Sequence, residues 1–91
     1  MITTGPLHIT ASVAEKAAED DAFAKFVSKS LVRYLHEDWG EMDAHDKAEN
    51  DRALKSNDGR IFAGYKFGEW AIWIITEADR SSTTILFPEE Y

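Results

Sequence analysis

The chain has 91 residues, enough for one domain around one core and too few for two. It is 44% hydrophobic and 12% aromatic, has no cysteine, and sets seventeen acids against ten bases for a net charge of −7. The lack of cysteine excludes disulfides, thiolate metal sites and a cysteine nucleophile, and the acidic balance disfavours direct nucleic-acid binding, which needs clustered Lys and Arg. No stretch approaches the roughly 18 consecutive apolar residues of a membrane span. The N-terminus shows no basic region followed by an apolar run, so no secretory signal is expected and the cytoplasm is the expected location.

In chain order, Met1 to Pro6 reads as a loose lead-in and Leu7 to Thr10 as a short edge strand. Ser12-Val13-Ala14-Glu15 fits a capping box, in which the serine oxygen accepts from a free helix N–H and the glutamate reaches back. A helix of about two turns, Val13 to Glu19, is predicted to follow. Asp20 and Asp21 mark the next helix start, as side-chain acceptors and as negative charge at the positive end of the dipole. Phe23, Phe26, Val27, Leu31, Tyr34 and Leu35 then recur at three- and four-residue steps, the apolar face of an amphipathic helix. Asp21–Lys25 and Arg33–Glu37 are spaced to pair on its outer face.

His36 to Gly40 ends that helix. Gly40 is suited to left-handed backbone, and Trp39 to filling the junction with the helix that follows. The following helix is predicted from Asp43, its N-cap, to Lys55. Its apolar side is thin (Ala44, Ala48 and Leu54, with Met42 just before), so it should lie on the surface with most of its girth free. Asn50 and Asp51 are unfavourable in mid-helix, and something must compensate them: a bond to the neighbouring strand, or to Arg60. Ser56 to Gly59 is a turn by composition.

Three strands are predicted next. Arg60 to Phe67 and Trp70 to Ile75 are joined by Gly68-Glu69, a tight hairpin, and Ser82 to Phe87 is the third. Trp70 to Ile75 is apolar in both parities, as expected of a strand buried on both faces or central in its sheet. The whole reads as α+β: N-terminal helices packed on a C-terminal three- or four-stranded antiparallel meander.

Two polar clusters are the candidates for function. Residues 37–58 hold eight acids and three bases, net −5, against net 0 for 1–36 and −2 for 59–91. Glu37, Asp38, Glu41, Asp46 and Glu49 are the candidate partner-binding acids of this segment, whose field would steer a basic protein surface toward it. The alternative is a solvated helix face that keeps a small protein soluble. His36 and His45 beside these carboxylates offer metal-ligand chemistry, but the spacing matches no defined motif, and Asp43-x-x-Asp46 is what capping demands. No metal or cofactor is expected.

The second cluster is the loop Glu77 to Ser82 with the hydroxyls of Thr83 and Thr84. Glu77, Asp79 and Arg80 are further candidate partner-binding residues; alternatively Asp79 and Arg80 pair within the fold, or Arg80 bonds loop carbonyls. A serine nucleophile needs a base oriented by a third group. His8, His36 and His45 all lie in other elements, so no catalytic residue is assigned. Phe62, Tyr65, Phe67, Trp70 and Trp73 lack the interleaved bases of a base-stacking platform and read as core.

Asp38-Trp39-Gly40, Asp46, Asn50-Asp51-Arg52-Ala53-Leu54, Arg60-Ile61, Tyr65, Ile72 to Arg80 and Thr83 to Tyr91 together resemble a family of small proteins named "plasmid-related protein". The similarity runs from about Phe23 to the end of the chain, and the C-terminal string is its most specific part. Phe67-Gly68-Glu69 looks like a short version of a hairpin loop that is often longer in that family. The resemblance implies cargo of conjugative and other mobile elements of gut bacteria, whose small proteins often regulate transfer or blunt host defence. It carries over no catalytic residue. The expected function is a non-enzymatic accessory factor that binds a protein with a basic surface, as an inhibitor of a host defence system of the anti-CRISPR or antirestriction type would. A structural or regulatory module of plasmid maintenance is the second reading, and a small hydrolase using the Glu77–Thr84 loop the third.

Overall fold

The computed structural model describes residues 2–91. These residues form β1 (Leu7–Ile9), α1 (Ala11–Glu19), α2 (Asp21–Leu35), α3 (Ala44–Ser56), β2 (Ile61–Phe67), β3 (Trp70–Thr76), β4 (Thr83–Leu86) and a short 3₁₀ turn, Pro88–Glu90. The expected α+β arrangement is present, with helices on a C-terminal sheet of order β1-β4-β3-β2. β2, β3 and β4 make the antiparallel meander. β1 is the edge strand expected at Leu7, but it runs parallel to β4, Leu7 opposite Thr83 and Ile9 opposite Ile85. The sheet is therefore mixed and mostly antiparallel.

α2 is the main support of the sheet. Asp20 caps it, its carboxylate accepting from the N–H groups of Ala22 (3.0 Å) and Phe23 (3.1 Å). Phe23 and Tyr34 are fully buried and Val27 nearly so, each worth about 1.5–3 kcal/mol of apolar burial. Ile61, Ala63 and Tyr65 of β2, Ile72 and Ile74 of β3, and Ile85 of β4 share the inner face, since the register pairs Ala63 with Ile74 and Ile74 with Ile85. β3 is central, as its double apolar parity predicts. The β2–β3 turn is the two-residue Gly68-Glu69, with positive φ at Gly68 (61°) and not at Glu69, the pattern of a type II′ turn.

A chain of hydroxyls crosses the core. Tyr34 Oη lies 2.6 Å from Thr76 Oγ1, which lies 2.7 Å from Thr83 Oγ1, which donates to the carbonyl of Thr4 at 2.8 Å. Each hydroxyl has one proton, so the orientation that makes all three bonds runs Tyr34 to Thr76 to Thr83 to Thr4. Both threonines are fully buried. Burial pushes the Tyr34 phenol up to about 12, so it stays a donor.

Several local expectations are corrected. Met1 lies outside the described residues; the rest of the lead-in is tied down: Ile2 is buried, its N–H donates to Leu35 O (3.2 Å), and Thr83 N–H donates to Pro6 O (3.0 Å). The cap of α1 is Thr10, not Ser12, because β1 runs up to Thr10, whose N–H is held by Ile85 O (3.1 Å) while its oxygen faces Val13 N–H (3.4 Å). α2 ends at Leu35, and Glu37 takes left-handed backbone (φ 65°) in a Schellman closure, with Glu37 N–H on Tyr34 O and Asp38 N–H on Arg33 O. Glu37 is therefore turned off the helix, and Arg33 pairs with Asp38 instead (2.7 Å). Asp21–Lys25 does not close as an ion pair among the described residues. Gly40 does have positive φ (74°), but for a different reason than ending α2. It lies against β2, where a Cβ would run into the Gly64 carbonyl and the Tyr65 ring (2.7 Å).

The two left-handed positions respond oppositely to substitution. Glu37→Gly relieves a backbone cost of about 1–2 kcal/mol, less about 0.5–1 kcal/mol for the freer unfolded chain, so its melting temperature should equal or exceed the wild type's. Gly40→Val should cost more than about 2 kcal/mol, through both strain and collision. Thermal melts beside the exposed control Lys47→Ala check both. A Gly40→Val variant that melts with the control contradicts the close approach to β2.

Candidate protein-binding surface

α3 carries Asp46 and Glu49 of the candidate acids, Glu41 lying in the loop before it, and its attachment combines polar bonds with a thin apolar contact, Ala53 in the core and Leu54 half-buried against it. Asp43 caps it, accepting from Asp46 N–H at 2.8 Å, and Asp46 adds negative charge to the first turn. Asn57 closes the other end in left-handed backbone (φ 55°). Only Asn50 and Ala53 are buried. Ala44 and Ala48, expected on the apolar side, are exposed, because the helix is rotated to present Asn50 to the sheet. The Asn50 amide donates to Phe62 O (2.8 Å) and accepts from Phe62 N–H (3.2 Å). This is the compensating strand bond that a mid-helix asparagine requires. Asp51 accepts from Trp39 Nε1 (2.9 Å), and Trp39, buried edge-on against Tyr34 (5.5 Å), fills the junction between α2 and α3 as expected.

The candidate residues divide into three groups. Glu41 and Asp46 come together on the rim of a groove of about 450 Å³ over the sheet face opposite α1 and α2. Met42, Phe62, Trp73 and Pro88 line its apolar part, and Lys66 lines it too. The groove exists because Gly64 has no side chain: a Cβ there would meet the Trp73 ring at 3.3 Å and Met42 Sδ at 3.8 Å. Phe62 and Trp73 pack at 4.7 Å, with Tyr91 edge-on to Trp73 at 5.5 Å. Glu49 follows Asp46 on α3, in a long, exposed contact with Arg52 (3.4 Å) of little energetic worth.

Asp38 belongs to the second group with Glu37, which stays exposed at the end of α2. The Asp38 carboxylate takes two bonds from Arg33 (2.7 and 3.1 Å) and one from Gly40 N–H (3.1 Å). The Arg33 bonds, then the Gly40 N–H, hold its carboxyl below the usual carboxylate range. Its carbonyl accepts from the Tyr65 hydroxyl (2.7 Å), whose pKa burial drives up. Asp38 thus positions the loop that presents Glu41.

Glu77, Asp79 and Arg80 form the third group, at the other end of α3; thirteen helical residues span about 20 Å. Asp79 accepts from Ser81 N–H (2.9 Å), and bonds from Ser81 lower its pKa. Arg80, itself left-handed (φ 62°), donates to the carbonyls of Gly59 (2.8 Å), Ala53 (3.0 Å), Ala78 (3.1 Å) and Glu77 (3.2 Å). Of the two roles open to Arg80 in the sequence, this is the bonding of loop carbonyls, and it fastens the C-terminal end of α3, where a cation suits the dipole. An Asp79–Arg80 ion pair does not form among the described residues.

Sequence does not single out Met42, Phe62, Trp73 and Pro88 as a site. The one signal it carries is the double apolar parity of β3 together with too few helices to cover both faces. Among the described residues, no three His, Asp or Glu side chains converge as metal ligands, and no helix is long and apolar enough to cross a membrane. Comparison of the chain with protein-family models, with curated proteins and with solved structures finds no match.

Asp38 gives the site a pH dependence of defined sign. Its folded-state pKa is depressed, so its stabilising effect is present above the ordinary carboxylate value near 4 and is lost as pH falls through the folded value. Asp38→Asn should melt a few degrees below the wild type at neutral pH, with the gap closing below about pH 4. Melting temperature against pH for the two proteins checks this; a constant gap contradicts it.

Proposed function

We propose that this chain is a non-enzymatic binding factor that occupies a basic surface of a protein partner with the face built by Glu41, Asp46 and Glu49. The observation that carries the reading is the shared groove, in which two exposed carboxylates flank half-buried apolar and aromatic side chains. That combination suits an arginine of the partner, which pairs with carboxylate and stacks on an aromatic ring, and Trp, Tyr and Arg are the residues that dominate interface energetics. The net −5 of residues 37–58 supplies the steering field. The β3–β4 loop supports the non-enzymatic reading, since Asp79 and Arg80 are engaged by loop backbone and the Thr83 hydroxyl is buried and bonded.

The resemblance to plasmid-related proteins adds a setting, the accessory cargo of a mobile element. A basic surface worth occupying there is the nucleic-acid-binding surface of a host defence protein, so the concrete form of the proposal is an inhibitor of the anti-CRISPR or antirestriction type. No direct nucleic-acid contact is part of this mechanism, because the net charge of −7 opposes it.

Glu41→Lys, Asp46→Lys and Glu49→Lys combined change residues 37–58 from −5 to +1. All three side chains are exposed, so folding should survive with changes of about 0.5 kcal/mol or less per site. A basic partner captured from host lysate by the wild type should associate with the variant about tenfold or more slowly and lose its salt dependence. Unchanged affinity and salt response would remove this face from the mechanism.

A further inference from the structure

A second groove, of about 340 Å³, lies between α2 and the tip of the β2–β3 hairpin, and its charge is opposite to that of the first. Lys25, Lys29 and Arg33 line it from α2 at four-residue steps, about 6 Å apart along the helix. Lys66, which also lines the first groove, lines it from β2. Four of the ten bases of an acidic chain thus surround one groove. Arg33 is engaged by Asp38, but Lys25, Lys29 and Lys66 form no ion pair among the described residues. The groove's apolar part is Phe26 and Phe67, stacked at 6.4 Å and 30°. Phe67, the last residue of β2, is 67% exposed, although it continues the inward parity of Ile61, Ala63 and Tyr65. An exposed aromatic framed by unpaired cations leaves both an apolar and a cationic surface without a partner.

We propose that this groove is a docking site for an acidic peptide segment carrying an aromatic or large aliphatic anchor. The anchor packs on Phe67 and Phe26, and flanking carboxylates meet Lys25, Lys29 and Lys66. A volume of this size holds one or two side chains, not a folded surface. The chemistry favours a peptide over single-stranded nucleic acid. Three free cations release few counterions, so phosphate binding gains little, while a long polyanion would also cross the field of a chain with net charge −7. A segment with two or three acids and one anchor satisfies the same cations and fills the apolar floor. The partner so recognised is an acidic linear motif, distinct in sign from the basic surface suited to the Glu41–Asp46 groove.

The test is selection of a displayed random-peptide library on immobilised wild-type chain, with the selected peptides titrated against variants. The wild-type pool should converge on Asp or Glu beside Phe, Trp or Leu, and bound peptide should shift the amide resonances of α2 and residues 66–70. Lys25→Glu, Lys29→Glu and Lys66→Glu combined should weaken the best peptide about tenfold or more. Phe67→Ala, which changes no charge and removes an exposed ring, should weaken it too, and circular dichroism confirms that each variant is folded. Glu41→Gln, Asp46→Asn and Glu49→Gln combined should leave it unchanged, which separates this site from the acidic face. A pool without acid enrichment, undiminished binding to the Lys25, Lys29 and Lys66 variant or to Phe67→Ala, or an oligothymidylate that shifts the same amides with higher affinity than the best peptide would overturn the proposal.

Discussion

The side chain of Asn50 holds this structure together at its weakest seam. A helix with so thin an apolar face has little hydrophobic reason to stay on a sheet: α3 buries only Asn50 and Ala53, with Leu54 half-buried against the core. The Asn50 amide solves this by pairing with both polar groups of Phe62, as a neighbouring strand would. Phe62 lies on β2, the edge of the sheet, whose outward N–H and C=O groups would otherwise be open to another chain. Beside it the Glu41 N–H takes the Gly64 carbonyl at 2.7 Å. One device therefore closes the sheet edge and seats the helix. Trp39 with Asp51 secures the start of the junction, and Arg80 secures the far end through Ala53 O.

Seating α3 in this way leaves a surface with little core to constrain it. Because the helix is held largely by polar bonds, its outward residues are free of packing demands; its three acids, Asp46, Glu49 and Asp51, are matched by Lys47, Arg52 and Lys55, and the acidic excess of residues 37–58 lies in the segments that flank it. α2 is seated by aromatic and aliphatic burial, and its outward edge is basic. The Glu41–Asp46 groove thus lies beside half-buried Phe62 and Trp73, and the basic edge of α2 beside the exposed Phe67. The hydroxyl chain from Tyr34 to Thr4 locks α2, β3, β4 and the N-terminal segment into one frame beneath both faces. Buried polar networks of this kind are costly when half made, which ties the placement of each element to the others.

Strong local signals are legible in the sequence. The 3.6-residue recurrence from Phe23 to Leu35 locates α2, Asp43 announces its own capping role, and Gly68-Glu69 sits between two strand patterns. The misfit of Asn50 in mid-helix is itself informative, since an unfavourable residue has to be compensated, and the neighbouring strand is one of two partners within reach. Features set by distant parts of the chain are not legible. The parallel sense of β1 depends on where β4 lies, and the choice of Thr10 over Ser12 as a cap depends on β1. Arg33 pairs with Asp38 rather than Glu37 because the left-handed backbone at Glu37 turns the chain off the helix, which four-residue spacing alone does not reveal. Thr76 and Thr83 look like ordinary strand and loop-margin hydroxyls; only their fully buried register shows that they span the core. Of the candidate site, Glu41, Asp46 and Glu49 are found from charge, whereas Trp73 and Phe62 read as core residues although the core covers only one side of them.

The polar clamp at Asn50 is thus the chief attachment of α3 to the sheet. Amide hydrogen exchange on Asn50→Leu tests it most directly, since leucine matches the size but leaves the Phe62 N–H and C=O unpaired, at roughly 1–3 kcal/mol for each buried group. The amides of Ala44 to Ser56 should exchange at least about tenfold faster than in the wild type, while those of α2, β3 and β4 keep their protection. Unchanged protection of α3, or an equal loss throughout the sheet and α2, would contradict it.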